Sequence, residues 1–380
     1  MSEVILKPQE SAEQRLVDQL MAALRPLMRL DAVRTLRGGD APVVEFIGQV
    51  YDPQDEEAFD RVMTEFEALG YLPFLTEEQG EHVLQAIPHV VDRRTGKPWV
   101  NVIFFILTAF SVLFIGALNE EVDPTANWRT LVKGLPHAVT LLSILTIHEL
   151  SHYFAARRCG EPASLPYFIP VPVWPLGTMG AVIVQKAPLR NRKAVFDLGI
   201  SGPLGGLVVA IPLLIVGLLL SKVAPLPAGG YAMEGNSILY YLIKWLIFGR
   251  PLPAGGMDVI LHPIAFAAWA GLLVTGLNLL PVGQYDGGHV AYAMWGRKAW
   301  LVARGVVMGM FAWAAFLLFT GRDIGMTWAL LGILGLTMGS RHPAPLNDLA
   351  PLDPTRKRIG WAMVVLLALI LVPIPLTLVP

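Results

Sequence analysis

The stretch Thr146-Ile147-His148-Glu149-Leu150-Ser151-His152 constrains this chain more than any other, because it sets an HExxH pattern inside an apolar run. Leu141 to Leu145 precede it, Tyr153, Phe154, Ala155 and Ala156 follow, and no helix breaker interrupts residues 138–159. A helix is the expected result. Positions i and i+4 share a helix face, so the imidazoles of His148 and His152 can grip one metal ion. Glu149, one residue on, can reach a water held by that ion. A charge at mid-membrane costs roughly 2.5–3.5 kcal/mol even on lenient scales, so two His and a Glu in such a run mark a functional site.

The rest of the composition agrees with a membrane setting. Of 380 residues, 54% are hydrophobic and only 16% charged, and the mean hydropathy is +0.53. The formal net charge of −1 hides an asymmetry: residues 1–92 carry 18 acidic and 7 basic side chains, and the remainder carries 12 and 22. An acidic soluble head on a basic membrane body follows, with no nucleic-acid partner expected. The single Cys159 excludes an internal disulfide framework. The first 30 residues lack a basic start followed by an apolar core, so no secretory signal is expected.

Residues 1–92 read as a small soluble α/β domain, expected to be regulatory. Residues 10–30 show helical apolar spacing, 43–50 a strand, 55–69 an amphipathic helix with acids at its start, and 71–75 with 82–87 a strand pair. Residues 93–98 form a basic linker. Residues 99–300 read as the membrane-embedded core and 301–380 as additional C-terminal membrane helices. Spans are expected at about 99–118, 131–156, 195–220, 259–280, 299–319, 324–339 and 360–378. The fold class is thus a polytopic α-helical membrane protein of about six to seven spans with an N-terminal α/β domain. Residues 237–248 are apolar but short, contain Lys244, and are expected to lie in the interface. With the N-terminal domain cytoplasmic, sixteen Lys and Arg fall on inside segments against six outside, which selects one orientation.

Two histidines leave zinc short of a ligand, since catalytic zinc takes three protein ligands and a water. Asp286 is the candidate, in Asn278-Leu279-Leu280-Pro281-Val282-Gly283-Gln284-Tyr285-Asp286-Gly287-Gly288-His289. Its glycines permit a tight non-helical path, which membrane depth tolerates only where protein or a wet cavity covers it. A turn-forming Asp-Gly on the surface is the alternative.

HELSH and the later NLLPVGQYDGG resemble the site-2 protease family of intramembrane zinc metalloproteases. Gly177-Thr178-Met179-Gly180 and residues 191–203 carry the likeness further, over about residues 95–300. It is closest to the branch without an inserted PDZ domain, found in bacteria and plant plastids. The resemblance implies that His148, His152 and Asp286 bind Zn2+, that Glu149 is the catalytic acid/base, and that Asn278 stabilises the oxyanion. It implies a metalloendopeptidase that cuts transmembrane segments of membrane proteins in the bilayer, sited in a bacterial cytoplasmic membrane. Two departures stand out. Gly206 occupies a position where many members have Asn, and Tyr285 replaces the usual Leu before Asp-Gly.

A buried site demands an unwound substrate. Residues 165–185 hold four prolines and then a strand-like run, and read as a re-entrant hairpin whose edge could pair with an extended substrate. Three other histidines have plainer readings. His137 lies three turns from His148 and suits a polar contact, His262 stands apart, and His289 suits a hydrogen bond better than ligation. A metal-ion transporter and a catalytically silent membrane scaffold are the alternatives, although the chain shows no internal repeat of the kind transporters carry.

Overall fold

The computed structural model describes residues 12–36, 41–89, 97–173, 175–227, 229–337 and 341–379. Most of the expected linker, residues 93–96, lies outside them. The chain divides into two compact units.

The first comprises residues 1–94, 188–192 and 344–352. Its elements run α1 (Ala12–Leu24), β1 (Met28–Leu36), β2 (Val43–Val50), α2 (Glu56–Ala68), β3 (Tyr71–Glu78) and β4 (Glu81–Pro88). The strands form one antiparallel sheet in the order β1-β2-β4-β3. Leu20, Leu24, Phe59, Val62 and Phe66 from the helices share a core with Val44, Phe46, Leu84 and Ala86 of the sheet. Each fully buried Leu, Val or Phe side chain among them contributes about 1.5–3 kcal/mol. Asp55 caps α2 by accepting from the Ala58 N–H at 2.8 Å. The helix expected to reach residue 30 ends at Leu24, because Pro26 disfavours its continuation, and Met28 starts a strand instead.

Two short segments extend this sheet. The Leu75 N–H donates to the Leu346 carbonyl at 2.7 Å and its carbonyl accepts from Asp348 N–H at 2.9 Å. Leu346 and Asn347 N–H groups donate in turn to the carbonyls of Leu189 and Arg190 at 2.8 and 2.9 Å. Arg190 pairs with Asp60, and Arg192 Nε donates to Asp348 at 2.9 Å. Arg190 and Arg192 are therefore both committed to ion pairs.

The second unit comprises residues 95–187, 193–343 and 353–380. Its elements are α3 (Pro98–Leu118), α4 (Leu135–Arg158), β5 (Tyr167–Pro170), β6 (Thr178–Val182), α5 (Arg192–Leu220), β7 (Lys222–Pro225), β8 (Tyr231–Glu234), α6 (Ile238–Phe248), β9 (Met257–Ile260), α7 (Pro263–Asn278), α8 (Asp286–Trp295), α9 (Ala299–Phe319), α10 (Gly325–Thr337), α11 (Pro354–Ile370) and β10 (Leu376–Val379). Among the described residues, four helical stretches are long and apolar enough to cross a membrane: Pro98–Leu118, Trp128–Arg158, Arg192–Leu220 and Asp286–Phe319. The protein is thus a polytopic membrane protein with a small N-terminal sheet domain. Three shorter apolar helices are α6, α7 and α10.

Several expected boundaries move. The fourth expected span, 259–280, becomes the 16-residue α7, since residues 257–260 pair with β7 and Pro263 opens the helix. His262 is the N-cap of α7, its ring accepting from Ile264 N–H. The seventh expected span, 360–378, ends as helix at Ile370; Pro373 and Pro375 cannot continue it, and β10 pairs instead with β8. Lys244 is 1% exposed, with Nζ 3.4 Å from Glu234 and 3.8 Å from Asp258, while the Tyr240 hydroxyl donates to Glu234 at 2.8 Å. A charge this buried must be paired. A β5–β6 hairpin lies within the proline-bearing run 165–185 expected to form one, with Tyr167 opposite Val182 and Phe168 opposite Ala181.

Candidate metal centre

Helix α4 carries three of the candidate residues. Pro136 stands in its first turn, where a missing N–H costs nothing, and the helix runs unbroken to Arg158. One helical turn brings His148 Nε2 and His152 Nε2 to 3.2 Å, with ring centroids 4.9 Å apart.

The third group arrives from α8. Asp286 is the first residue of that helix, placed there by Gly287 and Gly288. A Cβ at Gly287 would lie 1.9 Å from the Leu279 carbonyl oxygen, and one at Gly288 would lie 2.3 Å from that of Gly283. Only glycine lets the preceding turn fold this tightly onto the helix start. Asp286 Oδ1 then stands 3.1 Å from His152 Nε2 and Oδ2 stands 3.2 Å from His148 Nε2. All three residues are buried.

Helix α5 closes the third side. A Cβ at Gly202 would fall 2.0 Å from His152 Nε2, so no larger residue fits beside that ring. Gly206 faces His148, its added Cβ 3.2 Å from Nδ1. The Leu198 carbonyl accepts from His152 Nδ1 at 2.9 Å. A carbonyl only accepts, so Nδ1 holds the proton and Nε2 presents its lone pair to the site. Ser201 Oγ donates to the same carbonyl at 2.7 Å.

The donor set suits zinc. Among the described residues, His148, His152 and Asp286 form the one group of this kind with ligand atoms within 4.8 Å of one another. A tetrahedral ion with bonds of ~2.0–2.1 Å sets its ligands about 3.3 Å apart. The observed separations of 3.1 and 3.2 Å match that spacing. Two imidazoles and a carboxylate are ordinary zinc donors.

The other residues read from sequence fall as follows. Glu149 is buried and within electrostatic range of His152 and Asp286. Asn278 is the half-buried last residue of α7. His137 is buried and stacks on Phe266 at 5.9 Å. His289 lies outside the group and hydrogen-bonds to His342. Sequence reasoning missed the Leu198 carbonyl and His342; a backbone carbonyl leaves no mark in a sequence, and a lone His after α10 carries no periodic signal.

Residues 136–320 match the family model described as Peptidase family M50. The chain is 30% identical over 305 residues to the probable zinc metalloprotease EGY2, chloroplastic, of Oryza sativa subsp. indica, covering 75% of this chain and 53% of that one. It is 31% identical over 301 residues to the protein of the same name from Arabidopsis thaliana, covering 75% and 52%. It is 25% identical over 374 residues to the probable zinc metalloprotease EGY3, chloroplastic, of Oryza sativa subsp. indica, covering 90% and 61%. The chain spans about half the length of the EGY2 relatives it matches. No solved structure matches it.

Proposed function

From the membership of residues 136–320 in Peptidase family M50, we propose that this chain is an intramembrane zinc metalloendopeptidase of the site-2 type, hydrolysing peptide bonds within transmembrane segments of membrane proteins. The observation that carries this reading is the convergence of the Asp286 carboxylate on the two imidazoles of α4 at 3.1 and 3.2 Å. When bound there, zinc supplies Lewis acidity, making a water nucleophilic near neutral pH and polarising a peptide carbonyl. His148 Nε2, His152 Nε2 and the Asp286 carboxylate would hold it. The Leu198 carbonyl fixes the His152 tautomer.

Glu149 moves the protons. Its carboxylate takes one from the attacking water and returns it to the nitrogen of the leaving amine. The Asn278 amide, following the family resemblance, donates to the developing oxyanion.

A transmembrane helix hides its peptide bonds, so the substrate must be drawn out as a strand. β6 is hydrogen-bonded to β5 alone among the described strands, and Met179 and Val182 on it are exposed. That edge supports strand addition by an unwound substrate. Six to seven spans, with the N-terminal unit in the cytoplasm, remain our topology, resting on the apolar segments and the Lys and Arg bias. The matched relatives carry chloroplastic names and give no support to a bacterial membrane as the site. Their zinc metalloprotease names also leave the transporter alternative without support.

The test is cleavage of a membrane-embedded reporter in proteoliposomes. A zinc chelator should stop it and added zinc restore it. Transport of labelled zinc without any peptide cleavage would replace this reading with the transporter.

A further inference from the structure

Asp286 depends on a short helix that is held by its packing, with Val290, Ala291, Tyr292 and Ala293 buried. α8 has ten residues, a length marginal without tertiary support, and its N-cap, Tyr285, offers no side-chain cap. His342 supplies contacts on one side of it. The residue is 5% exposed and lies beyond residue 320, where the family match ends. Its ring stacks on Tyr292 of α8 at 4.7 Å with planes 23° apart, and the Trp300 Nε1–H donates to its carbonyl at 3.3 Å. It is also hydrogen-bonded to His289, one turn after Asp286 on the same helix.

The protons in this chain of contacts are assigned by the end that can only accept. His342 Nδ1 lies 2.6 Å from the Pro343 carbonyl, so Nδ1 is the donor. A neutral His342 then has a bare Nε2, and His289 Nδ1 must donate to it. Donation thus runs from α8 through His342 to the Pro343 carbonyl, without any charge on either ring. His289 in turn packs on α5: a Cβ added at Gly199 would meet His289 Cβ at 2.7 Å and the Asp286 carbonyl oxygen at 2.9 Å. The residue after which this contact falls, Leu198, is the one whose carbonyl holds His152.

We propose that His342 is a positioning residue for the metal centre: through its hydrogen bond with His289 it fixes α8 and thereby the Asp286 carboxylate. The inference rests on the reading of His148, His152 and Asp286 as zinc ligands. Supporting groups of this kind are worth about 10–100-fold in metal affinity.

The experiment is titration of zinc into the chelator-stripped full chain in detergent, for the wild type and four variants. His342→Leu and His289→Leu remove the hydrogen bond and should weaken zinc binding about tenfold. His342→Gln places an amide oxygen near Nε2 and His289→Asn places an amide N–H near Nδ1, so both should stay within about threefold of wild type by retaining the bond. Leu variants that bind zinc like the wild type overturn the proposal. So do Gln and Asn variants as weak as the Leu ones, since ring packing alone would then explain the loss. If His342→Leu does not fold, the His289 pair decides by the same comparison. A wild-type chain that binds no zinc overturns the metal centre itself, and the role of His342 with it.

Discussion

Asp286 Oδ2 stands 3.2 Å from His148 Nε2 across 138 positions of chain. The contact joins the first turn of a short helix to the second half of a long apolar one, and each contributes what the other lacks. α4 offers two neutral nitrogens, and α8 offers the negative charge that a divalent cation needs. Replacing Asp286 by Asn keeps the shape and removes the charge. The expected outcome is a fall in zinc affinity of more than about tenfold, read as metal content after dialysis against a weak chelator. Equal metal content in both proteins would reassign the third ligand.

Gly202 tests the close approach of α5. Its substitution by Ala places a methyl group 2.0 Å from His152 Nε2, so the helix or the ring must shift. Overpacking of this kind costs about 1–3 kcal/mol. Gly202→Ala should therefore lower the melting temperature and also lose zinc, whereas Gly305→Ala, with nothing within 4 Å of the new Cβ, should do neither.

The start of α11 is held by charge. Arg356 Nε and Nη2 donate to the Asp197 carboxylate of α5 at 2.8 and 2.6 Å, and Nη1 donates to Asp353 at 2.7 Å. Asp353 is also the N-cap, accepting from Thr355 and Arg356 N–H groups. The Arg356 side chain, then these backbone donors, hold the Asp353 carboxyl below its ordinary value. A depressed carboxylate stabilises the fold above its unfolded pKa, and the contribution is lost as pH falls through the folded value. Asp353→Ala should cost about 1 kcal/mol at neutral pH, measured by thermal denaturation. The difference from wild type should shrink once the medium is more acidic than the ordinary carboxylate range; a gap that widens in acid would contradict the sign.

Strand addition at β6 is tested by proline. Val182→Pro removes a backbone donor from the hairpin and stiffens its edge. Reporter cleavage should slow while zinc content stays unchanged. Full turnover in this variant would discredit strand pairing as the route by which substrate reaches the site.

What the sequence made legible follows from where each signal is stored. The His148–His152 spacing is a property of one helix, so four residues of text sufficed. Asp286 needed a motif, because its approach depends on glycines whose value appears only when Leu279 and Gly283 are in place. The apolar runs at α3, α4 and α5 marked themselves by length, whereas α7 is shortened by strand pairing that no hydropathy window records. The strands β2, β3 and β4 stood out as short apolar stretches, but Met28–Leu36 was hidden behind a helix-like spacing that Pro26 interrupts. The segments at 189–191 and 346–348 join their sheet through backbone bonds between residues far apart in the chain, and His342 acts from beyond the matched region. Neither carries a side-chain pattern to be read.

The most direct measurement uses Glu149→Gln, which preserves the three ligand side chains and removes the proton acceptor. Purified into proteoliposomes with a membrane-embedded reporter, this variant should carry as much zinc as the wild type and leave the reporter uncut. Cleavage by Glu149→Gln at the wild-type rate would contradict the assignment of acid/base chemistry to this centre.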